Sequence, residues 1–255
     1  MPGSEYLVGR NAVCEALRAD RRRFDRVLIG DRVSDKGPIR RITALCRRMQ
    51  VPVQRVKRQE LDRLGRQLPH QGVAAQVSSY PLATLDDMLA LARERQEPPF
   101  LLALDSLQDP QNVGSLLRTA EAVGVHGVVV PERRSVGITP AVSRASAGAV
   151  EHMRVAQVTN LARTIDELKE SGLWVVGVEG HESARDYRQV DLNMPLALVL
   201  GSEGLGMRRL IRDKCDLLLR IPMLGHVTSL NVAIAGSLIL YQALCARQGY
   251  GIQSK

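Results

Sequence analysis

The sequence predicts two successive α/β regions: a small basic sandwich, then a larger domain built on a mostly parallel sheet covered by helices. Three observations predict it. Strand and helix signals alternate along nearly the whole chain, which is the pattern of helices crossing over a sheet. Beyond residue 100 the strand candidates become continuous apolar runs, as strands buried on both faces require. The charge divides sharply: residues 1–70 hold 17 Lys and Arg against 8 Asp and Glu, whereas residues 71–255 hold 18 against 19. The net charge of +8 over 255 residues therefore sits in the first quarter. A basic module in front of a neutral one is the electrostatic footprint of a polyanion-binding region.

In the first region, residues 11–19 read as a short helix with Val13, Ala16 and Leu17 on one face. Residues 26–29 read as a strand. Ile39, Ile42, Leu45, Cys46 and Met49 recur at helical spacing, and Arg40, Arg41, Arg47 and Arg48 fall off that stripe. This helix buries one face and presents guanidinium groups on the other. A strand at 51–56, a helix at 59–68 and a strand at 72–77 close the region near Tyr80. Residues 81–98 form a connector, opened by Pro81, filled by a helical stretch with Leu85, Met88, Leu89 and Ala92, and closed by Glu97-Pro98-Pro99. The predicted organisation is a basic α/β domain at 1–80, a linker at 81–98 and a parallel-sheet domain at 99–249.

In the second region, strands are predicted at 100–104, 127–130, 173–178, 196–200 and 217–221. Helices are predicted at 112–123, 161–169 and 207–214, with a last one over about 229–246. In such sheets ligands bind beyond the carboxyl ends of the strands.

Composition narrows the function classes. Hydrophobic residues make up 45% of the chain, enough for real cores, and aromatics only 3%, so an RNA-binding face relies on charge and hydrogen bonds more than on stacking. The four cysteines, Cys14, Cys46, Cys215 and Cys245, are far apart and form no CxxC or zinc spacing. They read as buried thiols in a reducing compartment, and no metal is expected. Residues 1–10 lack the apolar core of a signal peptide and no stretch is apolar enough to span a bilayer, so the expectation is a cytoplasmic protein with no membrane partner.

Three segments carry polar or glycine residues directly after a strand candidate. In the first, Asp109 is a candidate N-cap with Pro110 at the first helical position, and Asn112, Gly114 and Arg118 follow. In the second, Gly201-Ser202-Glu203-Gly204-Leu205-Gly206 has the order G-x-x-G-x-G and not the dinucleotide fingerprint. Glu203 inside it repels phosphate and suits hydroxyls or a cation. The third runs Ile221-Pro222-Met223 to Ser229-Leu230-Asn231; Ser229 is the candidate cap of the last helix, with Asn231 in its first turn.

In this order on one α/β scaffold, the three segments resemble the motifs of the SpoU branch of the SPOUT, or trefoil-knot, RNA 2′-O-methyltransferases. The resemblance covers residues 100–247, and residues 1–80 resemble the L30e-like substrate-binding domain found in front of that catalytic domain. It implies a C-terminal trefoil knot that holds S-adenosylmethionine, and a homodimer packed through the knot with the active site near the interface. It implies catalytic roles for Arg118, Asn112, Glu203, Ser229 and Asn231. The adenosyl group is implied to be held by backbone at Gly201, Ile221 and Leu230, with Asn231 beside the cofactor. A guanidinium keeps its charge at any working pH, so Arg118 is read first as an electrostatic group for the substrate phosphate and the developing 2′-oxyanion. The implied substrate is RNA, a guanosine of 23S rRNA or of a large-subunit precursor. A tRNA ribose methyltransferase of the same family, or a non-catalytic ribosome-assembly protein, are the alternatives. Gln111 stands where relatives often have His, and Ala233 where they often have Ser.

Overall fold

The computed structural model of the chain describes residues 4–249 apart from positions 67, 182 and 205. Leu205 of the glycine loop thus lies outside the described residues. In chain order the elements are β1 (Ser4–Val8), α1 (Arg10–Ala19), β2 (Phe24–Gly30), α2 (Pro38–Arg48), β3 (Val53–Val56), α3 (Arg58–Gly65), β4 (Val73–Ser78), α4 (Leu85–Glu94), β5 (Phe100–Leu104), α5 (Pro110–Ala122), β6 (Gly127–Pro131), α6 (Pro140–Ala145), β7 (Val155–Val158), α7 (Leu161–Glu170), β8 (Trp174–Val178), β9 (Arg185–Asp186), β10 (Leu196–Leu200), α8 (Arg209–Lys214), β11 (Leu217–Arg220) and α9 (Val232–Arg247). The chain divides into two compact units. One comprises Met1–Pro81 with Ile138–His152, and the other Leu82–Gly137 with Met153–Lys255.

The first unit is built on a four-stranded sheet in the order β1-β4-β2-β3, antiparallel except for the β2–β3 pair. Alternation along each strand sorts side chains between two faces. Val27 and Ile29 of β2, with Val73, Ala75 and Val77 of β4, meet the apolar stripes of α1 and α2. Leu28 and Ala74 meet Leu61 of α3 on the opposite side. Helix α2 buries Ile39, Ile42 and Cys46 and leaves Arg40, Arg41, Arg47 and Arg48 exposed, as its spacing predicts. Residues 138–152 add α6, capped by Thr139, and a 3-10 turn at Ala149–His152. There Glu151 takes the Arg22 guanidinium through two hydrogen bonds of 2.7 and 3.0 Å, and both side chains are wholly buried.

The second unit carries a seven-stranded sheet, β7-β6-β5-β10-β8-β11-β9, every pair of which is parallel. β5 and β10 are buried along their full length. Register places Leu104, Leu200 and Val178 side by side, with Leu219 of β11 next to Val178. The segments that begin at Asp105, Glu179, Gly201 and Ile221 therefore leave one edge of the sheet together. Helix α9 crosses onto α5 closely enough that a Cβ at Gly236 would meet Leu200 Cδ1 at 2.4 Å and Leu116 Cδ2 at 2.5 Å. Its far end is pinned by Arg247, which donates to the carbonyls of Pro98, Pro99 and Met194 and lies over the Phe100 ring.

Several elements differ from the sequence reading. β1, β7, α6 and the two-residue β9 are not announced by the sequence, because each is too short for its period to stand out. α3 stops at Gly65, where Arg66 turns into the left-handed region (φ 45°). The last helix begins at Val232, and its cap is Asn231, not Ser229. All four cysteines are free, with Cys14 and Cys46 buried and Cys215 and Cys245 half-buried. Burial pushes the Cys46 thiol up to about 11 and the Cys215 thiol up to about 12, so both stay protonated and unreactive.

Candidate active site

The strand-end loops of the second unit enclose a cleft of about 590 Å³ lined by Gly201, Glu203, Ile221, Ser229, Leu230 and Asn231, among others. The glycine loop shapes one wall. Ser202 and Gly206 exchange backbone hydrogen bonds of 3.0 Å in both directions, closing a tight turn. Gly206 holds φ 68°, and a Cβ there would strike Glu179 Oε1 at 2.4 Å. At Gly201 a Cβ would lie 2.2 Å from both Gly206 C and Met207 N, which are backbone atoms that cannot step aside. Glycine is required at 201 for close approach and at 206 for the turn.

Asn231 fastens three distant segments together. Its Oδ1 accepts from the backbone N–H of Ala233 (2.9 Å) and of Ile234 (3.3 Å), capping α9. Its amide nitrogen donates to Asn112 Oδ1 (2.9 Å) and to Glu203 Oε1. An amide offers two donor hydrogens and two acceptor lone pairs, and all four are committed here. The amide orientation is thereby fixed, since a flipped group would set its oxygen against two acceptors. Aspartate cannot replace it, because a carboxylate would face Glu203.

The cleft contains two carboxylates, Glu179 and Glu203, and no Arg, Lys or His among its lining residues. Glu179 is held by Arg212 at 2.6 Å. Such a cleft disfavours a phosphate and favours a cationic or hydroxyl-rich ligand. Among the described residues no group of three or more His, Cys, Asp or Glu is arranged to hold a metal ion, and no helix is long and apolar enough to cross a membrane.

Of the residues singled out from the sequence, Gly201, Glu203, Ile221, Ser229, Leu230 and Asn231 line this cleft. Asn112 joins it through Asn231. Arg118 does not: it is exposed on α5 and lines neither this cleft nor the cavity beside it. Glu203 takes the Asn231 amide. Sequence reasoning missed Glu179 and Gly180. The signal for them was a polar residue and a glycine directly after β8, at the same sheet edge as the glycine loop.

Two family models match the chain. That of RNA 2′-O ribose methyltransferase substrate binding covers residues 6–83, and that of the SpoU rRNA methylase family covers residues 99–241, more than half of the chain. The chain belongs to the SpoU methylase family. A Bacillus subtilis protein named for the TrmH family of tRNA/rRNA methyltransferases is 49% identical to this SpoU methylase over 97% of the chain and 98% of its own length. A Staphylococcus aureus protein named for the same family is 46% identical over 96% of the chain and 97% of its own. Among solved structures, the SpoU methyltransferase AviRb of Streptomyces viridochromogenes superimposes with a TM-score of 0.80 at 25% identity, covering 98% of this chain and 91% of that one. The fold class is the expected one, a SpoU-type parallel-sheet methyltransferase domain behind a small α/β substrate-binding domain.

Proposed function

We propose that this SpoU methylase transfers a methyl group from S-adenosylmethionine to a ribose 2′-hydroxyl of RNA, with a guanosine of 23S rRNA as target. The observation that carries the reading is the acid-lined cleft with a glycine wall, clasped to Asn112 by Asn231. The donor set fits a sulfonium ligand: the Glu203 carboxylate favours its positive charge, and a side chain at 201 would force apart the Gly206–Met207 backbone that shapes the cleft wall. AviRb, whose fold this chain shares, has been solved with the same donor bound.

S-adenosylmethionine supplies an electrophilic methyl, so the protein has to hold both partners in line and favour the oxyanion that forms. Backbone at Gly201, Ile221 and Leu230 would hold the adenosyl group, and Ser229 would offer it a hydroxyl. The Asn112–Asn231–Glu203 clasp sets the loops at the reacting end. Arg118, which lines neither cavity of its own copy, would supply a permanent positive charge to the substrate phosphate and the 2′-oxygen from the dimer interface. Helix α9 leaves Ile234, Leu238 and Tyr241 about half exposed. A helix that is apolar all round calls for cover on that side. In this reading a second copy of the chain supplies the cover. It brings the α5–α9 face, and with it Arg118, to the dimer interface.

The match to the family model named for rRNA methylases supports an rRNA target. A tRNA target is the second reading, favoured by the relatives named for both RNA classes and by an A. aeolicus tRNA-modifying enzyme that superimposes on 65% of the chain with a TM-score of 0.53. Ribose-methylation mapping separates them. Cells lacking the protein are expected to lose one 2′-O-methyl group from 23S rRNA. The wild-type gene restores it, and Arg118→Lys, which keeps the charge but loses the planar fork, does not. Loss of a tRNA methylation instead selects the second reading, and unchanged RNA or full rescue by the lysine variant contradicts the assignment.

A further inference from the structure

A cavity of about 500 Å³ adjoins the acid-lined cleft and shares Ser202, Glu203, Gly206 and Val232 with it as a common wall. A third cavity, of about 390 Å³, continues from the second: Arg134 and Arg208 line both, and Arg133 lines the third. The charge changes along this series. The first cavity has Glu179 and Glu203 and no basic lining residue. The second sets Asp109 and Glu203 against Arg134 and Arg208. The third has three arginines and no carboxylate.

The middle cavity is built from locked parts. Asp105 is fully buried and accepts both the Arg208 backbone N–H (2.8 Å) and its guanidinium (2.7 Å), which fixes where Arg208 stands. The Leu107 carbonyl accepts from the Val136 N–H (2.9 Å) and the Ser135 hydroxyl (3.1 Å), tying the Arg134 segment to the loop that follows β5. Two lining residues, Ser106 (φ 64°) and Arg134 (φ 61°), hold left-handed backbone that L-residues rarely adopt. Backbone held in this region concentrates at sites of function. The exposed Arg134 has the freedom to meet a ligand, whereas Arg208 is a fixed post.

We propose that the acceptor RNA enters along this track, with the target nucleotide in the middle cavity and the adjacent strand's phosphates on Arg133, Arg134 and Arg208. The inference rests on the proposed methyl transfer. Donor methyl and acceptor oxygen must come within about 3–3.5 Å, so two ligands need neighbouring cavities with a common wall. That wall carries Glu203, next to Asn112 and Asn231. A polyanion is repelled by the first cavity and attracted by the third, so the donor takes the first and the RNA strand runs outward over the third.

The test uses the full chain with Arg133→Ala and Arg134→Gly together, glycine being chosen because it accepts the left-handed backbone. The probes are a 23S rRNA transcript and S-adenosylmethionine. The variant is expected to bind the transcript about tenfold more weakly, with a log–log salt dependence shallower by about 1 to 2, roughly 0.7 to 0.9 for each phosphate that is no longer neutralised. Its affinity for the donor stays within about twofold of wild type. Unchanged RNA affinity and salt slope, or an equal loss of donor binding, overturns the track. A wild-type protein that methylates no RNA overturns the proposed function instead, while the binding measurements still judge the track.

Discussion

Replacing Gly201 by alanine is expected to weaken S-adenosylmethionine binding by about 100-fold or more, equivalent to roughly 2.7 kcal/mol, while the protein remains folded. A single methyl group has this effect because of what it meets. The new Cβ would lie 2.2 Å from the backbone of Gly206 and Met207. Real Cβ atoms do not come that close to a neighbour, and no flexible side chain is there to yield. The turn closed by the Ser202–Gly206 hydrogen bonds must open. Opening it carries Glu203 away from the Asn231 amide, so the cleft wall and the clasp fail together. Overpacking of this kind costs about 1–3 kcal/mol, a cost borne by the turn that follows β10 while the strands β5 and β10 keep their packing. Titration calorimetry of the purified variant measures the affinity directly. An alanine variant that binds within about threefold of wild type contradicts the placement of the donor against this loop.

The second large effect is on stability. Glu151→Ala is expected to destabilise the first unit by about 3–5 kcal/mol, the range for removing one partner of a buried ion pair. Arg22 is 0% and Glu151 1% exposed at the side chain. Glu151 also accepts from the Ser143 hydroxyl at 2.7 Å, so the substitution leaves a buried hydroxyl short of a partner as well. Arg22 keeps Glu5, the Ser78 carbonyl and the face of the Tyr80 ring at 5.1 Å. These hold the guanidinium in place and Glu5 still balances its charge, so the cost lies in the lost charge-assisted hydrogen bonds and the buried groups left unpaired. Hydrogen exchange resolves the units separately, which a single denaturation curve for a two-unit chain does not. The β2 and β4 amides are expected to lose roughly two to four decades of protection. Unchanged protection would show that the pair contributes nothing to the unit.

How much of this was legible in the sequence depended on whether a local pattern carried it. The stripe Ile39, Ile42, Cys46 announced α2 and its arginine face, because burial follows the 3.6-residue period directly. β5 and β10 announced themselves as unbroken apolar runs. Asp109 was recognisable as a cap because Pro110 follows it. The choice between Ser229 and Asn231 was not readable: both are good capping residues two positions apart, and only the partners at Asn112 and Glu203 decide it. The grouping of residues 138–152 with the first unit was also hidden. It rests on pairings such as Arg22 with Glu151, 129 positions apart, for which no local pattern exists. β1 escaped because only its last two residues are buried. The motif residues were found through resemblance, and the geometry added what resemblance left open: which of them share a wall, and that Arg118 stands apart from the others.

The central claim is that one acid-lined cleft at the carboxyl edge of the sheet holds the methyl donor beside the clasp of Asn112, Asn231 and Glu203. Crystals of the full chain soaked with S-adenosylmethionine test it most directly. The account predicts the donor between the glycine loop and residues 221–230, with its methyl group facing the Asn112 and Glu203 side. An empty cleft, or a donor seated elsewhere with its methyl group remote from that clasp, contradicts it.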